Sequence, residues 1–130
     1  MSVATLAERA RVSRAGAYAR LERLRSDGVI EGFVPRVNAA RIGLGITAIV
    51  LISDRQPSWR NLRERLAQMP EVEYCALTTG EYDALIIVRV PDIETLRDVI
   101  LERLQSIADV RATLTTFVLD EVVRRPFVLP

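Results

Sequence analysis

Apolar residues recur at helical spacing near the start of the chain, at Val3, Leu6, Ala7 and Ala10, which predicts a short helix capped by Ser2. Val12 then leads into Ser13, a second N-cap. Ala17, Leu21 and Leu24 fall four and three residues apart, on the inward face of a helix reaching about Ser26. Gly28 is placed to end that helix in the left-handed conformation, where a side chain is costly. Val29 and Ile30 begin an extended segment through Phe33 and Val34, and Pro35 closes off any helix there. The outward positions of the second helix are Arg14, Ala15, Gly16, Tyr18, Ala19, Glu22 and Arg23, with Arg20 on the flank. Two short helices around a tight turn, the second rich in arginine, describe a helix-turn-helix. The alternative is an amphipathic helix whose arginines only solvate it. Gly16 costs such a helix about 1 kcal/mol against alanine, a loss that close approach to a phosphate at the helix start would offset.

Gly43-Leu44-Gly45 forms a boundary, preceded by a helical turn at Asn38–Arg41. Beyond it the period changes. Ile46–Asp54 is a β-rich run, and Pro57-Ser58 opens a helix with Trp59, Leu62, Leu66 and Met69 on one face, ending at Pro70. Val72–Thr79 and Tyr82–Val90 read as strands around a tight turn at Gly80-Glu81. Pro91-Asp92 opens a helix whose face is Ile93, Leu96, Ile100, Leu104 and Ile107, and Val110–Val122 reads as the last strand. The fold class is therefore α+β, a ferredoxin-like β-α-β-β-α-β arrangement with both helices on one side of a four-stranded sheet. Ala84, Ile86, Val88 and Val90 can face the helices, leaving Leu85 and Ile87 on the other side with Ile49, Leu51, Phe117 and Leu119. A sheet apolar on both faces is buried on both faces, which implies a homodimer through the sheet. The alternative is a monomer with the N-terminal module folded over it. The domains expected are 1–36, a hinge at 37–45, and 46–130.

Composition changes this picture in three places. Net charge is only +1, yet residues 1–41 hold eight arginines against four acids and the remainder ten against thirteen. That is a basic head on a neutral or acidic body. All eighteen basic residues are arginine, which suits bidentate phosphate and guanine contacts. Histidine is absent, which removes the commonest general base and metal ligand. No catalytic residues, metal or cofactor are expected, and tetrapyrrole or haem chemistry on this scaffold ranks far behind. Cys75 is the single cysteine, read as a small buried hydrophobe on a strand. The apolar runs are too short to cross a bilayer, and no charged-then-apolar leader opens the chain. The expected location is cytoplasmic, with no membrane partner.

These residues resemble the Lrp/AsnC (leucine-responsive and asparagine-dependent) family of transcriptional regulators over nearly the whole chain. The resemblance rests on Leu6-Ala7 with Ser13, Arg20-Leu21-Glu22-Arg23-Leu24, the run GVIEGF at 28–33, Val37-Asn38 and Leu44-Gly45. In the body it rests on Gly80-Glu81-Tyr82-Asp83, Val90-Pro91-Asp92, and Val110 opening a threonine-rich strand. It implies a partial winged-type helix-turn-helix that reads double-stranded DNA, and sheet-paired dimers that assemble further into octamers. It also implies a small-molecule effector, an amino acid or a relative of one. Carried over by position, Ser13, Arg14, Gly16, Tyr18, Arg20 and Arg23 become DNA-contact candidates, and Gly80, Tyr82 and Asp83 effector-site candidates. Asp83 would pair an ammonium group and the amides around Gly80 a carboxylate. The alternative for 80–83 is a plain hairpin turn in which Gly80 supplies a positive φ.

The family's module has a helix ahead of the two seen here. Its absence leaves three explanations: a start placed too late, a shortened chain, or a natural variant with weakened DNA binding. The last would make the protein an effector-binding and oligomerisation module.

Overall fold

A computed structural model of the chain describes residues 2–55 and 59–127. Two serine caps build its first unit, Met1–Val37. Ser2 Oγ accepts from Thr5 N at 3.1 Å and starts α1, Val3–Ala10. Ser13 Oγ accepts from Gly16 N at 3.0 Å and starts α2, Arg14–Ser26. Arg11 between them has φ 57°, the left-handed conformation, so that Arg11 N reaches Glu8 O and Val12 N reaches Ala7 O. Gly28, at φ 78°, closes α2 the same way: its N–H bonds Arg25 O and that of Val29 bonds Leu24 O. Both ends are thus Schellman closures that use up orphaned carbonyls. Ala7 and Ala17 are buried, Leu6 and Leu21 half-buried, and Leu24 is 39% exposed. Residues 29–38 form no strand.

The second unit, Asn38–Pro130, opens with a tight turn at Ala39–Ile42 capped by Asn38. Then follow β1 (Ile46–Asp54), α3 (Trp59–Ala67), β2 (Val72–Leu77), β3 (Ala84–Val90), α4 (Ile93–Arg97) and β4 (Val110–Phe117). The expected start of α3 at Pro57-Ser58 lies outside the described residues. The strands form one antiparallel sheet in the order β2-β3-β1-β4, the ferredoxin-like arrangement expected. Ala48, Val50, Ile52, Ala84, Ile86, Val88 and Val90 are fully buried against Leu62, Leu66, Leu96, Val99 and Leu104 of the helical layer.

Several boundaries differ from expectation. β2 stops at Leu77 and β3 starts at Ala84, so the two are joined by a six-residue loop rather than a tight turn. β4 stops at Phe117, although Val118 N still donates to Thr47 O at 2.9 Å. Ile93 is 54% exposed, because it directly follows the Asp92 cap and Leu96 takes the inward position. Past α4 the helix widens to a π-helix over Asp98–Leu104, and Gln105 N reaches back to Ile100 O. Val99 joins the core there. Cys75 lies on a strand but is exposed, since β2 is an edge strand.

The last strand also turns the other way from the expectation. β4 carries an extra residue: Asp54 pairs with Val110 while Ser53 pairs with Ala112, which leaves Arg111 as a bulge. One inserted residue flips every later side chain to the opposite face. Phe117 therefore pairs with Ala48 on the helix side, and Leu114 pairs with Leu51 on the open side. Leu119 lies beyond the strand and is 97% exposed. The open face is Ile49, Leu51, Leu85, Ile87 and Leu114, joined by Tyr74 opposite Ile87.

Glu71, just before β2, receives both Arg103 Nη2 (2.6 Å) and Nη1 (3.0 Å), tying the edge strand to the second helix. Those hydrogen bonds hold the Glu71 carboxyl below its ordinary value, against the opposing pull of partial burial. A carboxylate lowered on folding stabilises the fold above its unfolded value and stops doing so as pH falls through its folded one. Glu71→Gln should destabilise the protein in urea melts at neutral pH, and the gap to wild type should close on acidification. A gap that widens in acid would contradict this.

Candidate functional site

In the first unit, Ser13, Arg14, Tyr18, Arg20 and Arg23 are all exposed, on or beside α2. Ser13 Oγ is occupied as a cap acceptor, but its hydroxyl hydrogen can still donate. Gly16 has a local reason for lacking a side chain: a Cβ there would stand 3.0 Å from Ser13 Oγ. No arginine of this unit forms an ion pair among the described residues. Every salt bridge found among them lies in the second unit. The head therefore presents guanidinium groups not neutralised by the acids nearby in sequence. Arg9, Arg11 and Arg25 belong to the same exposed set and were passed over in the sequence, where only the outward stripe of α2 drew attention.

The loop from Thr78 to Asp83 brings Gly80, Tyr82 and Asp83 together. Thr78 N donates to Asp83 O (2.9 Å), and Thr78 Oγ1 donates to Tyr82 O (2.9 Å). Asp83 N donates to Ile52 O (2.8 Å), and Asp83 Oδ2 accepts from Asp54 N (2.7 Å). Asp83 thus fastens the loop to the end of β1, so one carboxylate oxygen is committed to the protein itself. Its other oxygen is what remains for a ligand. Gly80, at φ 111°, has open space where a side chain would point. Thr78 does as much as Asp83 to close the loop and was missed; its only signal was a hydroxyl two residues before the glycine.

A separate groove of about 460 Å³ runs between α3 and β2, lined by Leu62, Leu66, Val72 and Leu77 with Arg63 and Cys75. None of the three effector candidates lines it. Partial desolvation against the groove pushes the Cys75 thiol up from its ordinary value, and Arg63 offsets part of that. Among the described residues no group of three or more His, Cys, Asp or Glu is placed to hold a metal, and no helix is long and apolar enough to cross a membrane.

A two-helix unit with exposed arginines precedes a βαββαβ unit with an apolar open face, the layout of a two-part regulator. The Lrp/AsnC ligand binding domain family matches residues 47–128. The HTH-type transcriptional regulator LrpA of Mycobacterium tuberculosis is 34% identical over 92% of this chain and 79% of its own length. A transcriptional regulator of Neisseria meningitidis, solved as its L-methionine complex, superposes with a TM-score of 0.91 at 25% identity, covering 100% of this chain and 85% of that one. AsnC of Escherichia coli gives 0.88 at 25% identity over 98% and 86%. The chain belongs to the Lrp/AsnC family of transcriptional regulators.

Asp83→Ala should release the loop from β1 and cost about 1–3 kcal/mol, the usual loss when a part-buried amide is left without its partner. Urea unfolding would measure the cost, and amide exchange should quicken at Asp54. An unchanged midpoint would show that the loop is held by other means.

Proposed function

We propose that the first unit binds double-stranded DNA through α2 and that the second assembles the protein and senses an amino acid. The observation that carries the first part is the unpaired set of arginines around α2. Guanidinium groups held by internal carboxylates could not release counterions from phosphate, whereas these can. Ser13, Arg14 and Gly16 sit at the helix start, where amides favour a phosphate. Tyr18, Arg20 and Arg23 lie further along and are the groups to meet base edges and backbone. The open sheet face supports a homodimer, since its apolar residues form one patch across four strands. Higher assembly to an octamer and a cytoplasmic setting follow the family.

The effector reading rests on the Thr78–Asp83 loop. Gly80 lets a ligand approach the backbone, and Asp83 keeps one oxygen for an ammonium group. The L-methionine complex of the Neisseria relative supports an amino acid as the ligand class. A second reading, an assembly module with weakened DNA binding, draws on one observation. The head buries only Ala7 and Ala17 among its described residues and leaves Leu24 partly open.

Band-shift titration of a promoter duplex separates the two. Arg20→Ala should lose about 1–3 kcal/mol of binding, roughly five- to hundredfold, with the fold unchanged by circular dichroism. Equal affinity of variant and wild type would remove α2 from the interface. Calorimetric titration with the common amino acids should find at least one that binds. Gly80→Val should weaken that binding at least tenfold, because a β-branched residue is strained at this φ. A binder that tolerates the valine unchanged would place the site elsewhere.

A further inference from the structure

The chain continues past β4 as an arm, residues 118–127, that forms no strand of its own. After the Val118–Thr47 hydrogen bond, residues 119–127 make no backbone hydrogen bond among the described residues. The arm is nevertheless fixed. Glu121 Oε1 accepts from Arg89 Nη1 at 3.0 Å. Arg89 is itself locked: its Nε and Nη2 bind the two oxygens of Glu73 at 3.0 and 3.1 Å, and Nη1 also donates to Thr47 Oγ1 at 3.0 Å. Only 12% of the Arg89 side chain is exposed. It stands beside Thr47 on the open side of the sheet, in register with Ile49 and Ile87 two residues on. A planar guanidinium committed on three sides is a fixed post rather than a mobile surface charge.

On either side of that post the arm is bare. Leu119 is 97% exposed, Val122 87%, Val123 66% and Phe127 82%. Anchoring such a segment costs conformational entropy, and no burial offsets it within one chain. The charge order says what covers it. Residues 120–125 read Asp-Glu-Val-Val-Arg-Arg: two acids, two valines, two bases. A two-fold axis through the valine pair lays two such segments antiparallel, valines against valines and the acidic end of each beside the basic end of the other. Within the chain, Arg124 lies 3.7 Å from Glu121. Asp120 and Arg125 enter no ion pair among the described residues.

We propose that the arm, residues 119–125, packs antiparallel against the same residues of a second copy, with Arg89 holding Glu121 so that the arm is presented for that contact. The proposal rests on the reading of the open sheet face as the dimer surface, and it carries that surface past the end of the sheet. Arg89 acts as a positioning residue. The pairing selects a copy of this chain over any other apolar surface, because the charge sequence is complementary to its own reverse.

The test is a charge swap in the full chain. Asp120→Arg makes the arm wholly basic at its ends, and Arg125→Asp makes it wholly acidic. Both positions are exposed. Each variant alone should homodimerise about tenfold more weakly than wild type in sedimentation at low salt, since each attractive contact becomes repulsive and the two-fold doubles the effect. Mixed together, they should form heterodimers well above the roughly one-half fraction of random pairing, read by native mass spectrometry. The double variant Asp120→Arg/Arg125→Asp should regain wild-type dimerisation. Random pairing of the mixture, with unweakened homodimers, overturns the arm contact and leaves the sheet interface standing. A wild-type chain that stays monomeric overturns both.

Discussion

The two central strands, β1 and β3, are apolar on both sides, and the rest of the second unit is arranged around that fact. Helices α3 and α4 cover one side completely: Val50, Ile52, Ile86 and Val88 have no accessible surface. Among the described residues of the unit no helix covers the other, and Glu121 of the arm reaches Arg89 at its end. Ile49 faces Ile87, and Leu51 faces both Leu85 and Leu114, so the open side is a continuous apolar strip across the middle of the sheet. A chain that needed only to fold would place polar residues there, as solvated antiparallel sheets do. The strip is therefore the molecular reason to expect assembly. The Arg89 cluster at its end is neutralised by its own chain, which keeps an unpaired charge out of the contact.

Electrostatics divides the labour between the two units. In the second, Arg89 and Arg103 are paired with Glu73, Glu121 and Glu71, and serve to tie elements together. In the first, arginines stand exposed and unpaired on two helices whose ends are closed by backbone and serine hydrogen bonds alone. Using serine caps and Schellman closures instead of ion pairs leaves those guanidinium groups unpaired among the described residues. A near-neutral protein can in this way present a strongly basic surface.

Much of this was legible in the sequence, for identifiable reasons. Period-two alternation from Ala84 to Val90 separates the faces of β3 without ambiguity, and Ser13 and Gly28 punctuate α2 as caps do. The misreadings share a cause: each depended on one inserted residue or one neighbour that no local pattern records. The bulge at Arg111 inverts the parity of β4, so Phe117 leaves the open face and Leu114 lies on it. Cys75 is exposed because β2 is an edge, a property of strand order rather than of residues 72–77. The loop at 78–83 looked like a two-residue turn because Thr78 closes it onto Tyr82 and Asp83 across four and five residues, while Asp83 ties it to Ile52 and Asp54 of β1, far away in the chain. Arg89 was passed over as one charge in an apolar strand; its partners are Glu73, Thr47 and Glu121, which are separated from it by 16, 42 and 32 residues.

The apolar open sheet is proposed to pair two chains and the exposed arginines of each head to meet phosphate, so that DNA is met by paired chains. Sedimentation equilibrium of the full chain with a promoter duplex, at physiological salt and with saturating protein, tests this directly. The complex should contain an even number of chains per duplex, two at the least, because a two-fold dimer brings two reading helices to successive half-sites. A complex of one chain per duplex, or a duplex left free by a dimeric protein, would contradict it.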